Sequence, residues 1–362
     1  LKLSIAVVSY SWMVDRVSIY SVDFSVSAVV IAFIVLDFSG YWVHRLTHRV
    51  NILWNRHIIH HSSEEFNLSC ALRQSISNTL KFSAIFMVPA ALLGVPVSIF
   101  AVIGPIHLFM QFWYHTRLIN KMGWLEKIIV TPSHHRVHHA INPEYIDKNY
   151  GQILIIWDKL FNTFQEEKPE VSPVYGTLTP VQTWNPIMIN FKHLWQIVKD
   201  AWNTKYYKDK FLIWFMPTGW RPNDVKEAYP LIKYSNPYSQ KKYKTKLDYK
   251  LTAWVWIAFV VSSFLTAHMF IVAEVLKPFM VFMYSSFLII SIFSYSSLLD
   301  LKRYYLLTEA SKIALGFFIL GLNDFLWLGG GIMITVFIIF YLIFSVFFIF
   351  IVRSRPYEQI LL

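Results

Sequence analysis

The sequence predicts an all-α, polytopic integral membrane protein, and three observations carry that prediction. Of the 362 residues, 55% are hydrophobic and only 15% are charged, where soluble domains carry about 25% charged residues. Several uncharged runs reach the roughly 20 residues that a helix needs to cross a bilayer. Histidine occurs 13 times, largely in tight clusters, whereas cysteine occurs once.

Taken in order, residues 24–43 form a span interrupted only by Asp37. Residues 82–114 are uncharged but too long for one upright helix. Pro89, Pro96 and Pro105 break them, which predicts a tight hairpin or a kinked, re-entrant pair. Residues 253–273, 278–299 and 325–352 are uncharged spans, and residues 304–322 form a weaker one that carries Glu309 and Lys312. The triplet Gly329, Gly330 and Gly331 reads as a helix cap. These breaks divide the chain into a histidine-bearing catalytic region (1–167), a basic cytoplasmic segment (168–250) and a membrane block of about four spans (251–362).

Charge supplies orientation. Residues 205–250 hold 11 Lys or Arg against Asp209, Asp224, Glu227 and Asp248. Positive charge stays on the cytoplasmic side, so the C-terminal spans are expected to begin and end in the cytoplasm, with the histidine site on that face. The formal net charge of +11 speaks to orientation and anionic headgroups before nucleic acid, and no nucleic-acid partner is expected. The lone Cys70 excludes an internal disulfide and any Cys-based zinc or iron–sulfur site. A start at Leu1, without an initiator Met or a basic leader, points to a missing N-terminal piece.

Histidine is therefore the chemistry to follow. His44 and His48 are four apart; His57, His60 and His61 follow the spacing i, i+3, i+4, and His135, His138 and His139 repeat it. Residues three and four apart share a helical face, so each group aims its rings into one small volume. A lone histidine near a membrane is usually a satisfied polar residue, which is the reading for His193 and His268. Eight together without a metal would cost desolvation and like-charge repulsion. Imidazole sites suit zinc, copper, iron or nickel; beside membrane helices, eight nitrogens favour two irons with dioxygen at the vacant positions. Asp37, two turns before His44, is placed to accept a proton from a ligand's second ring nitrogen. His115 reads as a ninth ligand, a gate or a headgroup contact, and His107 as structural. Glu64, Glu65 and Asp147 flank the clusters and read equally as solvated surface acids.

The motifs HRLTH (44–48), HIIHH (57–61) and HRVHH (135–139) resemble the fatty acid hydroxylase and sterol desaturase superfamily of membrane di-iron enzymes. The stretches HHSSEEFNLSCALRQS (60–75), QFWYHTRLI (111–119), TPSHHRVHHAINPEYIDKNYG (131–151), LIIWDKLFNTFQEE (154–167), PVYGTLTPVQTWNP (173–186) and GWRP (219–222) are similar to its alkylglycerol monooxygenase-like branch. The resemblance implies metal ligands at His44, His48, His57, His60, His61, His135, His138 and His139, with His115 in the same pattern. It implies two Fe ions, dioxygen, and an external electron donor such as tetrahydrobiopterin. The implied reaction hydroxylates a lipid alkyl chain next to an ether oxygen. One departure stands out: Arg49 follows the second histidine, where this branch commonly has Glu.

Lateral entry from the bilayer would deliver an insoluble chain to such a site, and residues 82–114 are the candidate passage, with core packing the plain alternative. Arg45, Arg56 and Arg73 would hold a lipid phosphate or simply obey the positive-inside rule. Two rivals remain. One is a fatty acyl, sterol or carotenoid hydroxylase or desaturase of the same superfamily; the other is a non-catalytic metal-binding or metal-transport protein. Transport wants ionisable residues along the spans, and the C-terminal spans offer only His268, Glu309 and Lys312. The membrane is expected to be the endoplasmic reticulum in a eukaryote or the inner membrane in a bacterium.

Overall fold

The computed structural model describes residues 5–6, 9–234 and 236–353. It is helical throughout, apart from a two-residue parallel ladder between Ile5–Ala6 and Leu80–Lys81 and three isolated bridges among the described residues. Five helices are long and apolar enough to cross a membrane, and the chain is a multi-pass membrane protein. It divides into two compact units, residues 1–181 with 189–242, and residues 182–188 with 243–362.

The first unit is built on α1 (Tyr10–Val17) and α2 (Val26–Arg49). Ser25 caps α2 by accepting from the Ala28 amide at 3.2 Å, and Val50 turns extended to end it. The helix carries small residues on its inner side: Ala28 and Ala32 are fully buried against Ala90, Ala91, Val95 and Ile99. Small side chains let backbones approach where lipid supplies no hydrophobic drive. At Gly40 the missing side chain leaves room for the Gln152 amide, whose Oε1 would lie 2.0 Å from a Cβ there and would have to move. The stop at Arg49 sets the site, since it leaves His44 and His48 on the last two turns.

After the single turn α3 (Ile58–His61), the expected hairpin appears as two short apolar pieces, residues 83–92 and α4 (Val97–Phe109). Pro96 precedes α4 and Gly94 turns the chain at φ +70°. Pro105 sits inside α4 without ending it. Then come α5 (Pro132–His139) and α6 (Pro186–Asn203).

The second unit contains α7 (Tyr249–Val272), α8 (Pro278–Leu299), α9 (Tyr305–Leu322) and α10 (Gly331–Arg353). Asp248 caps α7 through the Lys250 and Leu251 amides. The core is aromatic: Trp254 stacks on Phe348 at 4.6 Å, and Trp327 packs on Tyr284 and Phe287. The last helix begins six residues later than residue 325, where the uncharged run starts. Asp324 and Phe325 both take positive φ, and Gly329 and Gly331 do likewise, so the glycine triplet forms the turn that precedes α10.

Candidate metal centre

Three short elements converge. The last two turns of α2 carry His44 and His48, α3 with the residue before it carries His57, His60 and His61, and α5 carries His135, His138 and His139. His115 enters from the segment after α4. The nine rings sort into two groups, each with its ligating atoms within 4.8 Å of one another: His44, His48, His57, His61 and His138; and His60, His115, His135 and His139. The groups adjoin, with the His61 and His139 rings stacked at 4.2 Å. The structure thus brings together all eight expected ligands and adds His115 as a full member of the second group. His134 stays out, its ring edge-on to Phe164 at 5.4 Å.

Backbone carbonyls orient the rings. His44 Nδ1 donates to Tyr150 O (2.8 Å), His60 Nδ1 to Cys70 O, His115 Nδ1 to Gln111 O and His138 Nδ1 to Lys148 O (each 3.0 Å). A carbonyl only accepts, so each Nδ1 holds the proton and each Nε2 presents a lone pair. The consequence is a test of fit. His60 Nε2 and His115 Nε2, both stripped of hydrogen, face each other at 3.3 Å. His135 Nε2 lies 2.8 Å from His115 Nε2 and 3.0 Å from His139 Nε2. Buried Nε2 atoms of His48, His61 and His138 meet no hydrogen-bond partner. The proton-free Nε2 atoms of His60 and His115 repel unless a cation lies between them, and the residues fit metal ions of the imidazole-preferring kind.

Protonation does not supply that cation. Burial first, then neighbouring imidazoles, push His57, His60, His61, His135 and His139 well below the usual histidine value. For His138, too, burial lowers the value far more than its carbonyl partner raises it. His115 falls to about 4, again by burial. These rings are neutral ligands at physiological pH.

Asp37 differs from expectation. Its fully buried carboxylate takes bonds from the Ile153 and Leu154 amides (each 3.0 Å), from Trp157 Nε1 and from His107 Nε2 (each 2.9 Å). The imidazole it meets is the one read as structural, His107 of α4, and none of the nine clustered rings. Asp37 instead fixes the loop that delivers the Tyr150 carbonyl. Asp158, which the sequence did not single out, completes that loop by accepting from the Tyr150 and Gly151 amides at 2.7 Å. Among the flanking acids, Asp147 pairs with Arg49 at 2.9 Å and lies 4.0 Å from His48 Nδ1. Glu65 pairs with Arg117 and Lys242.

Two cavities reach the rings. One of about 770 Å³ is lined by His57, His60, His115 and His135, by Leu108, Phe109 and Phe112, and by Arg56 and Arg73. Leu108 and Phe109 are 66% and 76% exposed, so this cavity opens beside an apolar surface. The other, about 440 Å³, is bounded by His48, His61, His138 and His139 and by Trp54, Thr177, Gln196 and Thr218.

The family model for fatty acid hydroxylase matches residues 29–163, the stretch that supplies all nine rings. These residues form a fatty acid hydroxylase domain. Curated relatives agree: this chain is 49% identical to alkylglycerol monooxygenase of Homo sapiens over 191 residues, covering 53% of this chain and 42% of that protein. It is 36% identical to alkylglycerol monooxygenase of Xenopus tropicalis over 289 residues, 80% of this chain and 64% of that one. It is 35% identical over 136 residues to the ornithine lipid hydroxylase OlsE of Rhizobium tropici, 38% of this chain and 41% of that protein. The chain thus spans between about two fifths and two thirds of the length of these relatives. No solved structure matches. The fatty acid hydroxylase domain begins within α2 and ends just beyond Asp158, so the loop bonds described above lie inside it.

Proposed function

We propose that the chain is a di-iron lipid monooxygenase that hydroxylates an O-alkylglycerol at the carbon next to the ether oxygen. One observation carries the reading: nine imidazoles stand in two adjoining groups, and His44, His57, His60, His115 and His135 among them line a cavity that opens beside an exposed apolar helix. The relatives named for alkylglycerol monooxygenation point to the ether-lipid substrate. His44, His48, His57, His61 and His138 would hold one iron, and His60, His115, His135 and His139 the other. The bound irons supply dioxygen activation, one oxygen atom entering a C–H bond and the other leaving as water, with two electrons from tetrahydrobiopterin or another external donor.

The chain's own residues set everything around that chemistry. Leu108, Phe109 and Phe112 line the path for the alkyl chain and exclude water. Arg56 and Arg73 stand at the same cavity, where a polar headgroup would rest. The carbonyls of Cys70, Gln111, Lys148 and Tyr150 hold protons on Nδ1 and keep the opposite nitrogens free for metal. A hydroxylated ether carbon is a hemiacetal, which separates into a fatty aldehyde and glycerol or a lysolipid without further catalysis. The charge distribution supports a site on the cytoplasmic face, in the endoplasmic reticulum or a bacterial inner membrane according to source.

The test is anaerobic purification, iron counting and aldehyde release from an alkylglycerol. About two irons per chain, one for each imidazole group, and oxygen- and reductant-dependent aldehyde support the reading. Less than one iron, with zinc or nothing in its place, refutes it. A stable hydroxylated product instead of aldehyde would favour the acyl, sterol or carotenoid hydroxylase reading, which the likeness to an ornithine lipid hydroxylase keeps in view.

A further inference from the structure

Helix α6 turns one face to the smaller cavity, through His193, Gln196 and Ile197. Its outer face is not used by the site. There Phe191, Trp195, Val198 and Trp202, spaced four, three and four apart, form an exposed apolar stripe in which Trp195 is 59% and Trp202 83% exposed. The surface continues past the helix through Tyr206, Tyr207, Phe211 and Phe215, all exposed. An apolar patch of this extent marks an interaction surface.

Three observations choose its occupant. The first is depth. His193 Nε2 donates to the Asn51 carbonyl at 2.8 Å, the Asn51 amide donates to Met216 O at 2.9 Å, and Asn51 Nδ2 donates to Ile213 O at 2.8 Å. Asn51 lies two residues beyond α2, so the patch is tied to the point where a membrane span ends. A helix is about 10 Å across, comparable with the headgroup layer on each side of the hydrocarbon core. The second is composition, since Trp and Tyr gather where membrane meets water. The third is charge. Lys199, Lys205 and Lys208 are exposed around the patch, whereas Lys192 turns inward to the Pro180 and Val181 carbonyls. Of the acids in the segment, Asp200 is buried and paired with Arg221 and Asp209 is half-buried. The Lys199 ammonium lies over the Trp195 ring at 5.7 Å.

We propose that residues 191–215 lie flat in the headgroup layer of an anionic membrane leaflet. The aromatic stripe faces the acyl chains and the lysines meet lipid phosphates. The segment is thus an interfacial anchor continuous with α2, and it seats the smaller cavity at the membrane surface. The proposal needs neither metal nor turnover and stands apart from the enzymatic reading.

Cys70 is buried and is the one cysteine of the chain, so introduced cysteines take a fluorescent probe selectively. The full chain is placed in nanodiscs of phosphatidylcholine and phosphatidylserine, one copy per disc, with probes on Trp195→Cys, Trp202→Cys, Phe211→Cys and, as a control, Glu170→Cys. Lipid carrying a nitroxide near its headgroup is expected to quench the first three at least about twofold more than it quenches the control, while aqueous iodide shows the reverse order. Iodide quenching of the three without nitroxide quenching overturns the proposal, as does shielding from both agents, which would mean a protein cover. Removing phosphatidylserine, or the pair Lys199→Glu and Lys205→Glu, is expected to weaken nitroxide quenching. Indifference to both changes overturns the anionic-leaflet assignment.

Discussion

The unit that carries the fatty acid hydroxylase domain gathers nine imidazoles, eight of them buried, with ligating nitrogens that face one another, whereas the unit of α7 to α10 buries, among its described residues, one ion pair. There Lys312 donates to Glu309 at 2.5 Å and to Tyr341 OH and Ser345 Oγ at 3.0 Å, and Ser294 donates to the second Glu309 oxygen. In the second unit the two buried charges answer each other and neighbouring hydroxyls. In the first, the geometry is complete for the backbone but not for the nitrogens. Both arrangements are polar and dry, and only one is built to receive something. Burial of polar groups alone therefore does not mark a site; unsatisfied, convergent lone pairs do.

The largest effect that separates the units should come from His138→Ala. It is expected to lower iron at the first imidazole group and reduce aldehyde release by at least ~100-fold, with membrane insertion unchanged. Retained turnover would remove His138 from the ligand set. Acid should come next. The folded-state pKa values of His57, His60, His61, His135, His138 and His139 lie below that of an unfolded histidine. The unfolded chain therefore binds more protons as pH falls through about 6.5, and stability that is full above that pH is lost below it, by up to ~1.4 kcal/mol per pH unit for each histidine. Thermal unfolding of metal-free protein at neutral and mildly acid pH measures this. A melting temperature flat across that window contradicts it.

How far these features were legible in the sequence follows the same division. The spans showed because uncharged runs of that length have little alternative, and the hairpin showed because of Pro89 and Pro96. The boundary before α10 did not, since Phe325 is apolar yet sits in a left-handed turn that hydropathy does not report. Eight imidazoles showed because i, i+3, i+4 spacing puts rings on one face. The partition into two groups did not, because His60 and His61, adjacent in sequence, point to different groups. Nor did the groups that orient the rings, because carbonyls of Cys70, Lys148 and Tyr150 act without any side-chain signature. Asp37 stood out as the only acid of its span, but its partner was set by where α4 places His107, a long-range contact that spacing does not encode.

Breaking the ion pair sharpens the comparison from the other side. Glu309→Ala leaves the Lys312 charge buried without its carboxylate, and a loss of ~3–5 kcal/mol is expected. Replacing both by Met should recover most of it. Iron per chain should stay at the wild-type level in both variants, since the pair answers only to its own unit; iron loss in the double variant would show that the second unit supports the centre.

The smallest effect is expected at Asp37. As the acceptor for two amides, an indole and His107, its charge strengthens several bonds that a neutral amide would partly keep. Asp37→Asn should cost ~1–3 kcal/mol of stability and leave iron at the wild-type level, because no ring of either group bonds to it. Its effect on turnover should appear in kcat through the Tyr150 carbonyl and the set of His44, and Asp158→Asn, which loosens the same loop from its other end, should reproduce it. If Asp37→Asn removed iron while Asp158→Asn did not, the carboxylate would be acting on the metal centre directly, and the loop would not be its route.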